Sequence, residues 1–176
     1  MKKIKNYDEI IIELNTLVIL DIDNTIIKFN SMGKTWWKDR IEYYNRDNDI
    51  ENSNKLVYDD WKSILDIETP ELLDSNSFQD LIKRIELSNS KLMLLTARDI
   101  SMNDITLNHL KECDIQIESD DVHYSYPKGK KVKELYEKFQ SNKIIFVDDH
   151  LDNVEDVESE MKEYNIDCYL IDHENL

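Results

Sequence analysis

Apolar residues are spaced along this chain in two ways. Some stand in short unbroken runs: Leu17-Val18-Ile19-Leu20, Leu92-Met93-Leu94-Leu95, Ile144-Ile145-Phe146-Val147 and the stretch from Ile166 to Ile171. Runs of this length, rich in Val and Ile, predict strands buried on both faces, as in a parallel sheet. Others recur every three or four residues: Phe78, Leu81, Ile82 and Ile85, then Ile105, Leu107 and Leu110 within 103–113. Val132, Leu135, Tyr136 and Phe139 within 128–139, and Val154, Val157 and Met161 within 151–164, do the same. That spacing predicts helices with one apolar face. A short helix at 6–14, with Ile10, Ile11 and Leu14 on one side, and a short strand at Ile115-Gln116-Ile117 complete the pattern. Strands alternating with helices imply a parallel sheet covered on both faces, so the predicted fold class is α/β.

One stretch breaks the alternation. Asn30-Ser31-Met32-Gly33 is turn-rich, and an aromatic segment comes next in which Trp37, Ile41 and Tyr44 keep helical spacing. After the polar residues 45–54, a second helix is predicted with Val57, Trp61, Ile64 and Leu65 on one face. Pro70 closes it, because the residue before a proline leaves helical space. The expected organisation is a core from 1–30 and 71–176, with a small helical insertion at 31–70.

Length and composition narrow the function. The 176 residues suffice for one domain with a sizeable core. The formal net charge of -16 argues against a nucleic-acid binder, which needs a basic footprint, and against an anionic membrane surface. It does not exclude a small phosphorylated substrate, because local cations can override the global field. Cys113 and Cys168 have neither metal-ligand spacing nor a framework pattern, which predicts reduced thiols in a cytosol-like compartment. The basic start Met1-Lys2-Lys3-Ile4-Lys5 is followed by Asp8, Glu9 and Glu13, where a signal peptide needs apolar residues. No run is long enough to cross a bilayer. A cytoplasmic protein is expected, with no nucleic-acid or membrane partner; the oligomeric state is not legible.

The chemistry gathers at three predicted strand ends: Asp21/Asp23, Thr96, and Asp148/Asp149. In a parallel sheet all three point the same way and can meet in one crevice. Alternation along the strand puts Asp21 and Asp23 on one side and Ile22 on the other. Like charges that close need a cation or a shifted proton. A carboxylate cluster can hold Mg²⁺, a hard cation that prefers a few carboxylates plus other oxygens. The Thr96 hydroxyl can donate to an anion, and Lys128 can supply the cation for it. Lys128 lies four residues before Val132, hence on the inner face at the start of its helix. Lys130 falls with Glu134 and Glu137 on the solvent face, and Lys131 is a weaker candidate.

These residues carry a resemblance. Asp21-Ile22-Asp23-Asn24-Thr25 resembles the first motif of the haloacid dehalogenase (HAD) superfamily, of its Asp-x-Asp-x-Thr phosphatase type. Leu94-Leu95-Thr96-Ala97-Arg98 resembles the second motif, Lys128-Gly129 the third, and Val147-Asp148-Asp149-His150 with Asn153 the fourth. More closely, the chain is similar to a bacterial and viral branch with an Asp-Ile-Asp-Asn-Thr opening and a Leu-Thr-Ala-Arg second motif. The resemblance implies a HAD-like Rossmannoid three-layer sandwich, with a central parallel sheet and a small helical cap inserted after the first strand. It implies an Mg²⁺-dependent phosphatase acting on a phosphorylated small molecule or phosphopeptide. Asp21 would be the nucleophile that forms an aspartyl-phosphate. Asp23 would be the general acid and base, and Thr96 and Lys128 would bind the phosphoryl oxygens. Mg²⁺ would sit on Asp21, Asp148 and the backbone carbonyl of Asp23. Asp149, Thr25, Arg98 and Asn153 would be supporting residues around them.

The alternatives are a phosphotransferase using the same intermediate, a phospho-accepting receiver module, and a non-catalytic phospho-ligand or partner-binding module. A receiver places its acidic pair after the first strand and a lone Asp after a later one, the reverse of the order here. The insertion could close over the crevice. Trp36, Trp37 and Trp61 are expected to pack rather than to touch ligand, Arg40 and Arg46 to lie on a solvated face, and His150 to be a loop residue.

Overall fold

In a computed structural model, residues 1–33 and 35–173 are described. Lys34, inside the expected insertion, and residues 174–176, at the end of the expected core segment, lie outside the described residues. The elements run β1 (Lys2–Ile4), β2 (Thr16–Leu20), β3 (Ile27–Lys28), α1 (Trp36–Tyr44), α2 (Ile50–Ile67), β4 (Glu71–Leu72) and α3 (Ser75–Leu87). They continue with β5 (Lys91–Thr96), α4 (Asn103–Glu112), β6 (Val122–Tyr124), α5 (Gly129–Phe139), β7 (Lys143–Asp148), α6 (Leu151–Glu160) and β8 (Ile166–Ile171). A six-stranded sheet in the order β1-β8-β7-β2-β5-β6, parallel throughout, forms the middle layer.

Alternation along the strands sorts the core into two halves. Val18 and Leu20 of β2, Leu94 of β5 and Val147 of β7 face one way, onto Phe78, Leu81 and Ile85 of α3 and Leu110 of α4. Leu17 and Ile19, Met93 and Leu95, and Ile144 and Phe146 face the other way, onto Val132 and Leu135 of α5 and Val154 and Val157 of α6. No residue of β2 is exposed, and burying its four aliphatic side chains stabilises the fold by roughly 1.5–3 kcal/mol each. The strand that leads into Asp21 is therefore held from both faces.

Four local expectations are corrected, and strand β1 is new. Residues 6–14 form only a single 3-10 turn, Tyr7–Glu9. Ile10 is buried, but Ile11 and Leu14 are exposed, so their spacing marks no helix face. The segment 115–117 is not a strand: Ile115 is a buried loop residue, and β5 pairs instead with Val122–Tyr124. Strand β1 went unforeseen because a three-residue edge strand, with two of its residues exposed, carries no apolar run. In α1 the more buried positions are Trp36, Arg40, Ile41 and Tyr44, while Trp37 is more exposed and meets Trp36 and Trp61 edge-on. Helix α6 stops at Glu160 rather than running on to Tyr164.

Between β2 and α3 the chain leaves the sheet and returns. Ile27 and Lys28 pair antiparallel with Leu72 and Glu71, so β3 and β4 form a short stem. Helices α1 and α2 run between the two strands of that stem. Helix α2 begins at Asp49, whose carboxylate accepts from the Asn52 amide at 2.9 Å.

Candidate active site

The strand ends at Leu20, and the chain then turns. The amides of Ile26 and Ile27 both donate to the Ile22 carbonyl, and Asn24 sits in the left-handed region at φ 57°. Asp21 and Asp23 therefore lie past the strand, in the turn, and strand alternation does not set their directions. Asp21 lies toward the α5 face, as Leu17 and Ile19 do, whereas Asp23 meets a different partner.

Lys128 stands at the N-cap of α5, fully buried, and its ammonium bridges two carboxylates. It donates to Asp21 and, at 2.7 Å, to Asp148 Oδ2. Asp148 ends β7, the sheet neighbour of β2, on the same parity as Ile144 and Phe146. Its Oδ1 also accepts from the His150 amide at 2.8 Å, and Asn153 Nδ2 donates to both oxygens at 3.1 Å. Asp149 completes a cluster: one oxygen each from Asp21, Asp148 and Asp149 lie within 4.8 Å of one another. The Asp149 amide donates to Thr25 Oγ1 at 3.1 Å, which ties the turn after Asp21 to the end of β7.

Gly129 explains how Lys128 reaches this place. Its amide donates to Asp156 Oδ2 of α6 at 2.6 Å, and a Cβ there would stand 2.9 Å from both the Asp156 carbonyl oxygen and Glu160 Cβ. Only glycine lets the first turn of α5 lie this close to α6. Lys130 is exposed, and Lys131 is half-buried beside Glu134.

The cluster is short of positive charge. Burial pushes the Asp21 carboxyl up to about 7; Lys128 pulls it down, and Asp148 and Asp23 push it further up. Burial, with Asp21 and Asp148 nearby, pushes Asp149 up to about 8. Burial alone would lower Lys128, but Asp21 and Asp148 outweigh it and hold the ammonium charged. Three crowded carboxylates of hard oxygen, with one ammonium among them, are a donor set that fits a hard divalent cation.

Arg98 makes a second, separate ion pair. It is 2% exposed, and its guanidinium grips Asp23 with two bonds, Nε to Oδ2 at 2.8 Å and Nη2 to Oδ1 at 2.6 Å. Nη1 lies against Thr106 Oγ1 at 3.1 Å and His109 Nδ1 at 3.2 Å. Thr96 ends β5 beside β2, and its Oγ1 accepts from the Arg98 amide at 3.1 Å while keeping its own proton to give. The structure thus brings Asp21, Lys128, Asp148 and Asp149 into one group, with Thr25 and Asn153 hydrogen-bonded to its members. It sets Asp23 and Arg98 as a pair, with Thr96 bonded to the Arg98 backbone. Asp23's carboxylate is engaged by Arg98, while Asp149 lies within the acidic cluster with Asp21 and Asp148.

Three buried residues were not foreseen from the sequence. Tyr7 OH and His173 Nε2, the latter at 2.8 Å, both reach the Thr25 carbonyl. His109 backs Arg98. Its signal was the stripe Met102, Thr106, His109, Leu110 and Cys113, whose three-and-four spacing marks the true inner face of α4 and its flanks.

The sequence matches the family described as "Protein of unknown function (DUF2608)" over residues 1–126 and 123–175. The chain belongs to this family. No curated protein matches this DUF2608 chain. Among solved structures, it is similar to the class C acid phosphatase from Bacillus anthracis. The TM-score is 0.53 and the identity 16%, covering 93% of this chain and 68% of that one. The same phosphatase with tungstate bound matches with a TM-score of 0.51 at 16% identity, over 93% of this chain and 68% of that one. A putative beta-phosphoglucomutase from Thermotoga maritima matches with a TM-score of 0.53 at 14% identity, over 86% of this chain and 83% of that one. At these identities the likeness establishes the fold: DUF2608 here is a HAD-like Rossmannoid α/β sandwich. Among the described residues, no helix is long and apolar enough to cross a membrane.

Proposed function

We propose that this protein is an Mg²⁺-dependent phosphatase that hydrolyses a phosphate monoester through an aspartyl-phosphate on Asp21. The observation that carries the proposal is the buried group Asp21–Lys128–Asp148, with Asp149 beside it, at the C-terminal ends of two adjacent parallel strands. That is where open α/β sheets bind ligands. The fold it shares with an acid phosphatase, solved also with the oxyanion tungstate, supports the same reading.

Each residue then has a task. Asp21 attacks phosphorus in line with the ester oxygen, so an O–P bond forms as the ester P–O bond breaks. Asp23 gives a proton to the departing oxygen, then takes one from the water that splits the aspartyl-phosphate and releases phosphate. Lys128 and the Thr96 hydroxyl offer donors to the non-bridging oxygens, where charge spreads in the transition state. Asp21, Asp148 and Asp149, with the backbone carbonyl of Asp23, would hold Mg²⁺, which supplies neutralisation of the carboxylates and of the phosphoryl oxygens. Asn153 and the His150 amide fix Asp148, and Thr25 fixes the Asp149 backbone.

The division into a core of 1–30 and 71–176 and a cap of 31–70 belongs to the proposal, with α1 and α2 closing over the crevice to exclude water. The substrate is a phosphorylated small molecule or phosphopeptide. Two buried free thiols, Cys113 and Cys168, pushed up by burial to about 11 and about 12, suit a reducing, cytoplasmic setting. The test is a screen of phosphorylated metabolites and phosphopeptides with Mg²⁺, run beside Asp21→Asn. Release of phosphate by the wild type alone supports the proposal. Equal release by both proteins, or none by either, overturns it.

A further inference from the structure

Arg98 grips Asp23 with two bonds from a buried guanidinium; the Asp23 side chain is itself one quarter exposed, and the contacts behind Arg98 are buried. Arg98 Nη1 can only donate, so His109 Nδ1, 3.2 Å away, must accept. His109 Nε2 then carries the ring proton and donates to the Leu65 carbonyl at 2.9 Å. A neutral ring fits its surroundings, because burial and the neighbouring Arg98 both disfavour the imidazolium. Leu65 lies in the last turn of α2, the long helix between the two stem strands. A second contact reaches the same ring from the other side of the stem: Phe29, next after β3, meets His109 edge-on, with centroids 5.1 Å apart and planes at 68°. His109 therefore touches the chain both where it leaves for α1 and α2 and where it comes back.

We propose that His109 is a positioning residue that transmits the placement of the α2 end, through Arg98, to the Asp23 carboxylate. The inference rests on the proposed function, in which Asp23 is the acid that must reach the leaving oxygen. With both carboxylate oxygens engaged by the guanidinium, Asp23 has to turn from Arg98 to do so. How far it can turn depends on where the guanidinium stands. Thr106 fixes the guanidinium from within α4, whereas His109 fixes it relative to α2 and Phe29. A shift of the α2 end thus has a direct hydrogen-bonded route to Asp23, three side chains long. A substrate that draws α1 and α2 down over the crevice would reset its own general acid by the same route.

The test compares His109→Phe, which keeps the ring packing but loses both bonds, with His109→Gln, whose amide oxygen and nitrogen can replace both. Each is assayed with Mg²⁺ on 4-nitrophenyl phosphate, whose leaving group needs no proton, and on an alkyl phosphate, whose leaving group does. A mispositioned acid should cost the Phe variant about tenfold more on the alkyl ester than on the aryl ester, with the Gln variant restoring the ratio. A merely structural role would lower both rates together, and an unchanged ratio overturns the proposal. If the Phe variant does not fold, His109→Asn replaces it. Its short side chain can meet Arg98 or Leu65 but not both, so an Asn ratio equal to the Gln ratio is equally contrary. A separate readout needs no turnover: the Arg98 Nε–H signal in ¹⁵N NMR should be protected from exchange in the wild type and the Gln variant and lose protection in the Phe or Asn variant. Protection retained in a folded Phe or Asn variant overturns the positioning role. A wild type inactive on both esters, with the NMR pattern as expected, overturns the phosphatase and leaves the positioning intact.

Discussion

Two buried cations stand at the strand ends, and they are placed differently. Lys128 serves two carboxylates directly and has a third beside them, so its neighbourhood is left with excess negative charge. Arg98 serves one carboxylate with two bonds, and Thr106 and His109 lie against Nη1, so that pair is balanced in charge. A flexible stem ending in a point charge suits the first place, and a rigid fork suits the second. The lesson of the difference is a division of labour. The Lys128 side is electrostatically incomplete and is completed by what binds. The Arg98 side is complete within the chain and sets geometry.

The largest expected effect lies on the incomplete side. Asp21→Asn should abolish phosphate-ester hydrolysis, by several orders of magnitude in steady-state assays, with the fold retained by circular dichroism. Lys128→Ala, assayed in Mg²⁺, should lose about a hundredfold or more in kcat, since a buried donor to the transferring group is gone. Lys130→Ala, on the exposed face of α5, should stay near wild type. Comparable losses in the two lysine variants would erase the distinction between the faces of α5.

The charge deficit gives a metal and pH prediction. Asp21 and Asp149 bind their protons more tightly folded, at about 7 and about 8, than at the ordinary 3.8. The folded state therefore holds protons that the unfolded chain gives up. The stability this confers is full below about 3.8 and is lost as pH rises through 7 to 8. Mg²⁺ replaces those protons. At about 100 times its dissociation constant it should add roughly 2.7 kcal/mol, a rise in Tm of about 5–11 °C for a chain of this size. The rise should be larger at pH 8 than at pH 6, and NaCl at matched ionic strength should not reproduce it. Asp148→Asn should remove most of it. Equal shifts with Mg²⁺ and NaCl would mean that the acidic side is not a cation site.

Gly129→Ala tests how Lys128 is delivered. The added Cβ would press on Asp156 and Glu160, destabilising the chain by about 1–3 kcal/mol in urea titrations and lowering activity with it. The smallest effect expected is at Ser53, whose hydroxyl is buried in α2 without a hydrogen-bond partner among the described residues. Ser53→Ala should leave activity alone and raise stability by about 1 kcal/mol, because an unsatisfied polar group is removed.

The two sides also differed in how far the sequence revealed them. The acidic side was legible because continuous apolar runs end at Asp21 and Asp148, and such runs are unmistakable when a strand is buried on both faces. Lys128 was legible from its four-residue spacing to Val132, a period that α5 keeps. On the Arg98 side Asp23 and Arg98 themselves were named, but neither their pairing nor the residues behind them was legible. The Arg98 partners Asp23, Thr106 and His109 come from a turn and from a helix face that apolar residues alone misphase. Ile105 and Leu107 suggested one stripe on α4, while the buried one runs through Thr106 and His109. Polar residues in a core stripe were passed over because periodicity counts only apolar ones. Short pieces failed for a related reason: β1 and β6 span three residues each, too few to show a period, while Ile115 shows that an isolated buried isoleucine need not be in a strand.

In the proposed reaction Asp21 carries the phosphoryl group. The direct measurement is acid-quenched peptide mass spectrometry of Asp23→Asn incubated with Mg²⁺ and 4-nitrophenyl phosphate. That leaving group departs without a proton, while the missing base slows the second step. A phosphoryl group on the peptide at Asp21, absent from Asp21→Asn, is the predicted result. Phosphate release by the wild type, with no phosphorylated peptide in either protein, or a label on another residue, would contradict it.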